Sequence, residues 1–211
     1  IIVSDQLSQV LQHPLIDALI IATPAWTHYA LVQQCLAAGK HVLCEKPLSL
    51  RAIECEGLHQ QALSAQKILM VDHTFLFNPG ILALKAQLPA LGPLHYLTST
   101  RTHLGPIRAD VDVLGDLASH DIAIFNDLLG ALPVKVSACG GGFLPHGKTD
   151  VAFVTLWYPH GVMAHLHTSW FHPVKVRQMV IVGAQKMMTF DDLNHRAPLH
   201  IHDAHVKQEP Y

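Results

Sequence analysis

Residues 17–47 read DALIIATPAWTHYALVQQCLAAGKHVLCEKP, and this stretch decides the fold. Asp17-Ala-Leu-Ile-Ile-Ala22 is a short, continuously apolar run of the kind buried on both faces in a parallel sheet. It stops at Thr23-Pro24, where proline removes a backbone donor. Leu31, Val32 and Leu36 then keep helical spacing over about Trp26–Ala38, and Gly39 stands past the last turn, where a left-handed residue closes a helix. His41-Val-Leu-Cys44 is the next buried strand, and Glu45-Lys46-Pro47 ends it. Strand, helix and strand on links this short make a βαβ unit with parallel strands.

The same rhythm extends outward. Ile1-Ile2-Val3 reads as a strand end, and Ser4 suits a cap for a helix carrying Leu7, Val10 and Leu11. Ser49 opens a further helix, and Ile68-Leu-Met-Val71 is a third strand. After about Thr74 the pattern changes. Helices near Pro79–Leu88 and Asp116–Leu129 stand among strand-like segments at Leu94–Arg101, Val134–Cys139, Val151–Tyr158, Val162–Trp170, Arg177–Val182 and Lys186–Phe190. Tyr158-Pro-His-Gly161 and Gly183-Ala184 are hairpin turns, and Gly140-Gly141-Gly142 reads as a flexible link between strands. The expected architecture is α/β: part of a doubly wound parallel sheet in residues 1–74, then an α+β domain with a largely antiparallel sheet in residues 75–211.

Composition narrows the function classes. A net charge of −2 and a pI near 6.8 give no electrostatic case for nucleic acid or an anionic membrane. No apolar run reaches membrane-spanning length, and the first residues carry no signal-type pattern. Cys35, Cys44, Cys55 and Cys139 show no paired spacing and read as reduced thiols of a cytoplasmic protein. The 17 histidines invite a metal reading. His165 and His167 could face one way in a strand, but no Cys or carboxylate sits at ligand spacing beside them, so no metal is expected.

Three stretches carry a resemblance: Ala22-Thr-Pro-Ala-Trp-Thr-His28, Ala38-Gly-Lys-His-Val-Leu-Cys-Glu-Lys-Pro47 and Gly115-Asp-Leu-Ala-Ser-His-Asp121. They resemble the T-P-x-x-x-H, A-G-K-H-V-x-x-E-K-P and D-x-x-x-H signatures of the glucose–fructose oxidoreductase / inositol dehydrogenase family. The resemblance implies a Rossmann-type cofactor domain in residues 1–74 and a substrate-binding and oligomerisation domain in residues 75–211. It implies an NAD(P)-dependent oxidoreductase acting on a sugar, sugar derivative or cyclic polyol, and a homo-oligomer formed through the second domain's sheet.

Physical chemistry supports the implied roles. Ligands of a doubly wound sheet bind beyond the carboxyl ends of its strands, where Thr23-Pro24 and Glu45-Lys46 fall. The resemblance makes Thr23, Pro24, Ala25, His28, Glu45 and Lys46 cofactor-facing, with the blander alternative that His28 only caps or packs. It also implies a cis Lys46–Pro47 bond. Asp116 and His120 are four apart, which on a helix puts both on one face. A neutral imidazole there can take a carbinol proton as hydride departs, so His120 is the expected base, Asp116 orients substrate hydroxyls or the His120 ring, and Lys46 is the electrostatic partner. The resemblance also makes His73 and Asn78, at the family's crossing between domains, and Arg101, at a strand end, substrate-facing candidates. Arg101, Lys175 and Arg177 offer cationic ends for an anionic handle on the substrate, and Trp170 reads as packing.

The sequence departs from the family in one respect. The opening strand and G-x-G-x-x-G turn that hold the pyrophosphate are not in these residues, which leaves NAD and NADP undistinguished and reads as an N-terminal truncation. Two alternatives share the fold: a non-catalytic sugar or nucleotide sensor, and an enzyme using transient oxidation for elimination or glycoside cleavage.

Overall fold

The computed structural model describes residues 3–145 and 147–203, in two compact units that divide between His73 and Thr74. Ile1 and Ile2 lie outside the described residues, as does the tail at Gln208–Tyr211, and Val3 is irregular.

The first unit runs α1 (Leu7–Gln12), β1 (Ala18–Ile21), α2 (Ala25–Ala37), β2 (His41–Glu45), α3 (Ala52–Ser64) and β3 (Leu69–Asp72). Its three strands are parallel in the order β1-β2-β3, with Ile21 beside Cys44 and Glu45 beside Asp72. Val42 and Cys44 alternate inward from β2 and meet Val32, Cys35 and Leu36 of α2 and Leu58 and Ala62 of α3. Gly39 has φ 72 and its amide bonds the Leu36 carbonyl, which closes α2 as its glycine promised. Three expectations fail. Ile20 and Met70 are 75% and 42% exposed, so the apolar runs are not covered on both faces among the described residues. Ser4 does not cap α1; its hydroxyl accepts from the Gln6 amide in the turn before, and no side chain caps that helix. Ser49 likewise lies ahead of α3, accepting from the Arg51 amide and donating to the Glu54 carboxylate in the helix's first turn.

The second unit starts with a short turn at Thr74–Phe77, followed by α4 (Pro79–Gln87), β4 (Leu94–Leu104) and a wide i→i+5 turn at Leu114–Ala118 that runs into α5 (Ser119–Leu129). Then come β5 (Lys135–Gly141), β6 (Val151–Trp157), β7 (Met163–Ser169), β8 (Phe171–Gly183), β9 (Lys186–Asp191) and β10 (Leu199–Asp203). They form one sheet ordered β10-β9-β8-β4-β7-β6-β5, antiparallel except where β4 runs parallel to β7. Ile81 and Leu84 of α4 and Ile124 and Phe125 of α5 pack on Leu97, Leu166, Ile181 and Met188 of the sheet. Full burial of each such side chain is worth about 1.5–3 kcal/mol. The other face carries Tyr96 beside Met163, and Phe153 beside His167, with Tyr96, Met163 and Phe153 about two-fifths exposed. The glycine run is not a flexible link: Gly140 and Gly141 are the last residues of β5. A Cβ on Gly140 would stand 2.7 Å from the Val151 carbonyl oxygen, so the close strand pairing requires glycine there. Strand β10 lies outside the strand-like segments read from the sequence, although Leu199-His200-Ile201-His202 alternates apolar and polar residues as a strand does.

Candidate functional site

In the first unit, the expected residues collect at the carboxyl ends of the parallel strands. Thr23 and Pro24 are exposed just beyond β1, and Ala25, buried, begins α2. Glu45 ends β2, its carboxylate accepts from the Lys46 amide at 3.3 Å, and the Lys46–Pro47 bond is cis. His28 is 1% exposed, and its ring nitrogens lie 2.8 Å from the carbonyl oxygens of Pro47 and Thr23. That geometry favours the packing reading of His28 over a cofactor contact. His73 follows β3. Burial holds its imidazole below the ordinary range, Asp72 opposes the shift and Lys46 adds to it, so His73 is kept neutral beside a cation. Its Nδ1 is buried without a hydrogen-bond partner among the described atoms.

The thiols of this unit are structural. Burial, then Glu45, pushes Cys44 up to about 12, far from a nucleophile's range.

In the second unit, Asp116 and His120 are again close in the chain, but the continuous helix expected over Asp116–Leu129 is split. Asp116 sits in the wide turn and His120 in the first turn of α5. Such single wide turns recur at functional sites. Asp116 is clamped: Trp170 Nε1 donates to one carboxylate oxygen at 3.0 Å, and Arg108 reaches the other at 3.5 Å. Trp170 is fully buried, so it packs as expected and also orients Asp116. The His120 ring meets Phe75 edge-on at 4.9 Å. Sequence reasoning missed Phe75, Arg108 and His103. Burial lowers His103, with Asp116 opposing and Arg177, Lys175 and Arg101 reinforcing the shift.

Two substrate-facing candidates have other partners. Arg101 does not end its strand; it lies inside β4, 6% exposed, and its Nε and one terminal nitrogen bond Asp121 Oδ1 at 3.0 and 2.7 Å. Ser99 donates to the other oxygen of Asp121, and Phe75 covers the guanidinium at 4.2 Å. Arg101 is therefore half of a buried ion pair. Asn78 caps α4, accepting from the Gly80 and Ile81 amides and donating to Asp192 at 3.0 Å. Arg177 also pairs with Asp192, at 3.2 Å. Of the three cations expected to meet an anionic handle, two already face carboxylates, and Lys175 is exposed.

Among the described residues, no group of three or more His, Cys, Asp or Glu side chains could hold a metal ion. No helix among them is long and apolar enough to cross a membrane.

Comparison with known proteins matches residues 1–73 to the family model of the oxidoreductase family with an NAD-binding Rossmann fold. Residues 91–189 match the GFO/IDH/MocA C-terminal domain. The chain is 32% identical over 188 residues to UDP-N-acetylglucosamine 3-dehydrogenase of Acidithiobacillus ferrooxidans, covering 89% of this chain and 58% of that protein. A crystal structure of that dehydrogenase superposes with a TM-score of 0.83 at 30% identity, covering 99% of this chain and 68% of the other. Myo-inositol 2-dehydrogenase of Thermotoga maritima is 27% identical, covering 76% of this chain and 52% of that protein. An inositol dehydrogenase homologue from Azotobacter vinelandii, solved with NADH and myo-inositol, shares the fold at a TM-score of 0.82 and 22% identity, covering 93% of this chain and 58% of the other. The chain thus spans little more than half the length of the curated relatives it matches.

Proposed function

The chain belongs to the GFO/IDH/MocA family of NAD-binding oxidoreductases, and on that footing we propose that the protein is a dehydrogenase using NAD or NADP on a CH–OH group of a sugar, sugar derivative or cyclic polyol. The observation that carries the reading is the pairing of a clamped Asp116 with His120 one turn later, in a family whose named relatives oxidise such substrates.

The first unit fits the cofactor at the carboxyl ends of its strands, where Thr23, Pro24, Glu45 and Lys46 stand and where His73 follows β3 with its buried Nδ1 unpartnered among the described atoms. The nicotinamide, when bound, supplies the hydride acceptor. His120 would take the hydroxyl proton of the carbinol as the carbon's hydride departs, becoming an imidazolium while the carbinol becomes a ketone. Asp116, held by Trp170 and Arg108, orients substrate hydroxyls. Lys46 provides an ammonium at the nicotinamide end of the first unit.

We place the protein in the cytoplasm, on the strength of four free cysteines, two of them buried. Self-association is assigned to the open sheet face, where Tyr96, Met163 and Phe153 adjoin His165 and His167. Sedimentation velocity tests this: Phe153→Asp should shift the protein to monomer, and an unchanged oligomer would place the interface elsewhere. The activity itself is tested by following reduction of NAD and NADP against free polyols, sugar acids and nucleotide sugars. Absence of turnover with every class, in a protein supplied with the G-x-G-x-x-G turn that this sequence lacks, would remove the dehydrogenase reading.

A further inference from the structure

His28 is a buried titratable group that the proposed chemistry leaves unused. It sits on the first turn of α2, 1% exposed, with Nδ1 2.8 Å from the Pro47 carbonyl oxygen and Nε2 2.8 Å from that of Thr23. Carbonyl oxygens only accept, so a ring nitrogen bonded to one must carry the proton. A neutral ring donates to one of the two oxygens, and the imidazolium donates to both.

The two carbonyls belong to different connections. Thr23 follows β1 and Pro47 follows β2, so one ring joins the carboxyl ends of two adjacent parallel strands. A second fastening reinforces the first connection: the Thr23 and Thr27 hydroxyls lie 2.6 Å apart, and Thr27 Oγ1 donates to the Pro24 carbonyl at 2.7 Å. Both ring nitrogens of His28 already face protein oxygens, which leaves it no polar atom for a cofactor. Lys46 immediately precedes the bonded Pro47.

We propose that His28 is a positioning residue that fixes the backbone of Thr23–Pro24 and of Lys46–Pro47, and through the latter the point from which Lys46 acts. The proposal rests on the reading of Lys46 as a working group of the nicotinamide site. Its structural half is independent of that reading. Misplacing a reacting group by about 1 Å can cost on the order of 10²-fold in rate. Loss of the bridge should therefore lower kcat by about 10–100-fold, while the KM for cofactor stays within about threefold, because the cofactor-side residues Thr23, Pro24 and Lys46 are shifted and not removed.

The test uses nitrogen-15 NMR of the 211-residue chain and, in a protein supplied with the G-x-G-x-x-G turn, steady-state kinetics on His28→Phe, which keeps a flat ring without donors, and on His28→Gln, which restores a donor. In the wild type, the His28 ring should show a slowly exchanging, hydrogen-bonded N–H. In His28→Phe, the amides of Thr23 and Lys46 should move while those of α3 stay in place, and kcat should fall with cofactor KM held. His28→Gln should recover part of both readings, and it decides the matter alone should the Phe variant not fold. Unmoved Thr23 and Lys46 resonances would overturn the positioning role. So would a raised cofactor KM at unchanged kcat, which would make His28 a ligand. The spectra stand whatever substrate the enzyme takes, so failure of the dehydrogenase reading shows only in the kinetics.

Discussion

Replacing Asp121 by Ala separates a structural Arg101 from a substrate-binding one. The Arg101 and Asp121 side chains are 7% and 2% exposed, joined at 2.7 Å, with Ser99 on the second carboxylate oxygen. Removing the carboxylate strands a guanidinium between the sheet and α5 and leaves a buried hydroxyl without its acceptor. Breaking a buried pair from one side costs about 3–5 kcal/mol. For a chain of this size that corresponds to a melting temperature lower by roughly 6–20 °C. Urea unfolding followed by tryptophan fluorescence reads it directly, since Trp157 and Trp170 both lie in the second unit. The double variant Arg101→Met with Asp121→Leu should recover most of the loss, because an apolar pair of similar volume has no charge to desolvate. A cost below about 1 kcal/mol for Asp121→Ala, the range of an exposed pair, would show the pair to be solvent-screened. Arg101 would then return as a substrate ligand.

Acid should destabilise the protein through its histidines. Burial lowers His73, His103 and His167 in the fold, so between those lowered values and about 6.5 the unfolded chain binds more protons and stability falls as pH falls. Scanning calorimetry from pH 7.5 to 5 should show a declining melting temperature, with a shallower decline in His167→Gln; a flat profile would refute the sign. The 211-residue chain should bind NAD and NADP weakly, since no G-x-G-x-x-G turn occurs in it. Calorimetric titration reaching low-micromolar affinity would make that turn dispensable.

Much of this was legible because proline and glycine punctuate the chain. Thr23-Pro24, Gly39 and Lys46-Pro47 each end an element where its backbone chemistry requires, and the strand ends they define gather the cofactor-side residues. What the sequence hid depends on partners distant along the chain. Nothing near Arg101 announces Asp121, twenty residues on, and nothing near Asp116 announces Trp170. The wide turn at Leu114–Ala118 uses the same residues an ordinary helix would, so the spacing of Asp116 and His120 could not reveal it. Strand β10 is shorter than the other strands of the second unit, and its Leu199–His202 alternation gains a partner only through antiparallel pairing with β9. The glycine run misled in the opposite sense: its lack of side chains serves close strand contact rather than flexibility.

The central claim is that His120 removes the substrate's hydroxyl proton, and the pH dependence of His120→Ala at saturating cofactor tests it most directly. The wild type should lose kcat/KM on the acid side as its base is protonated. The variant should lose on the order of 10²–10⁴ in kcat, and that acid limb should disappear. A variant that keeps more than about a third of wild-type kcat, well short of the loss of a positioned base, with the acid limb intact, would contradict the account and move the base to another group.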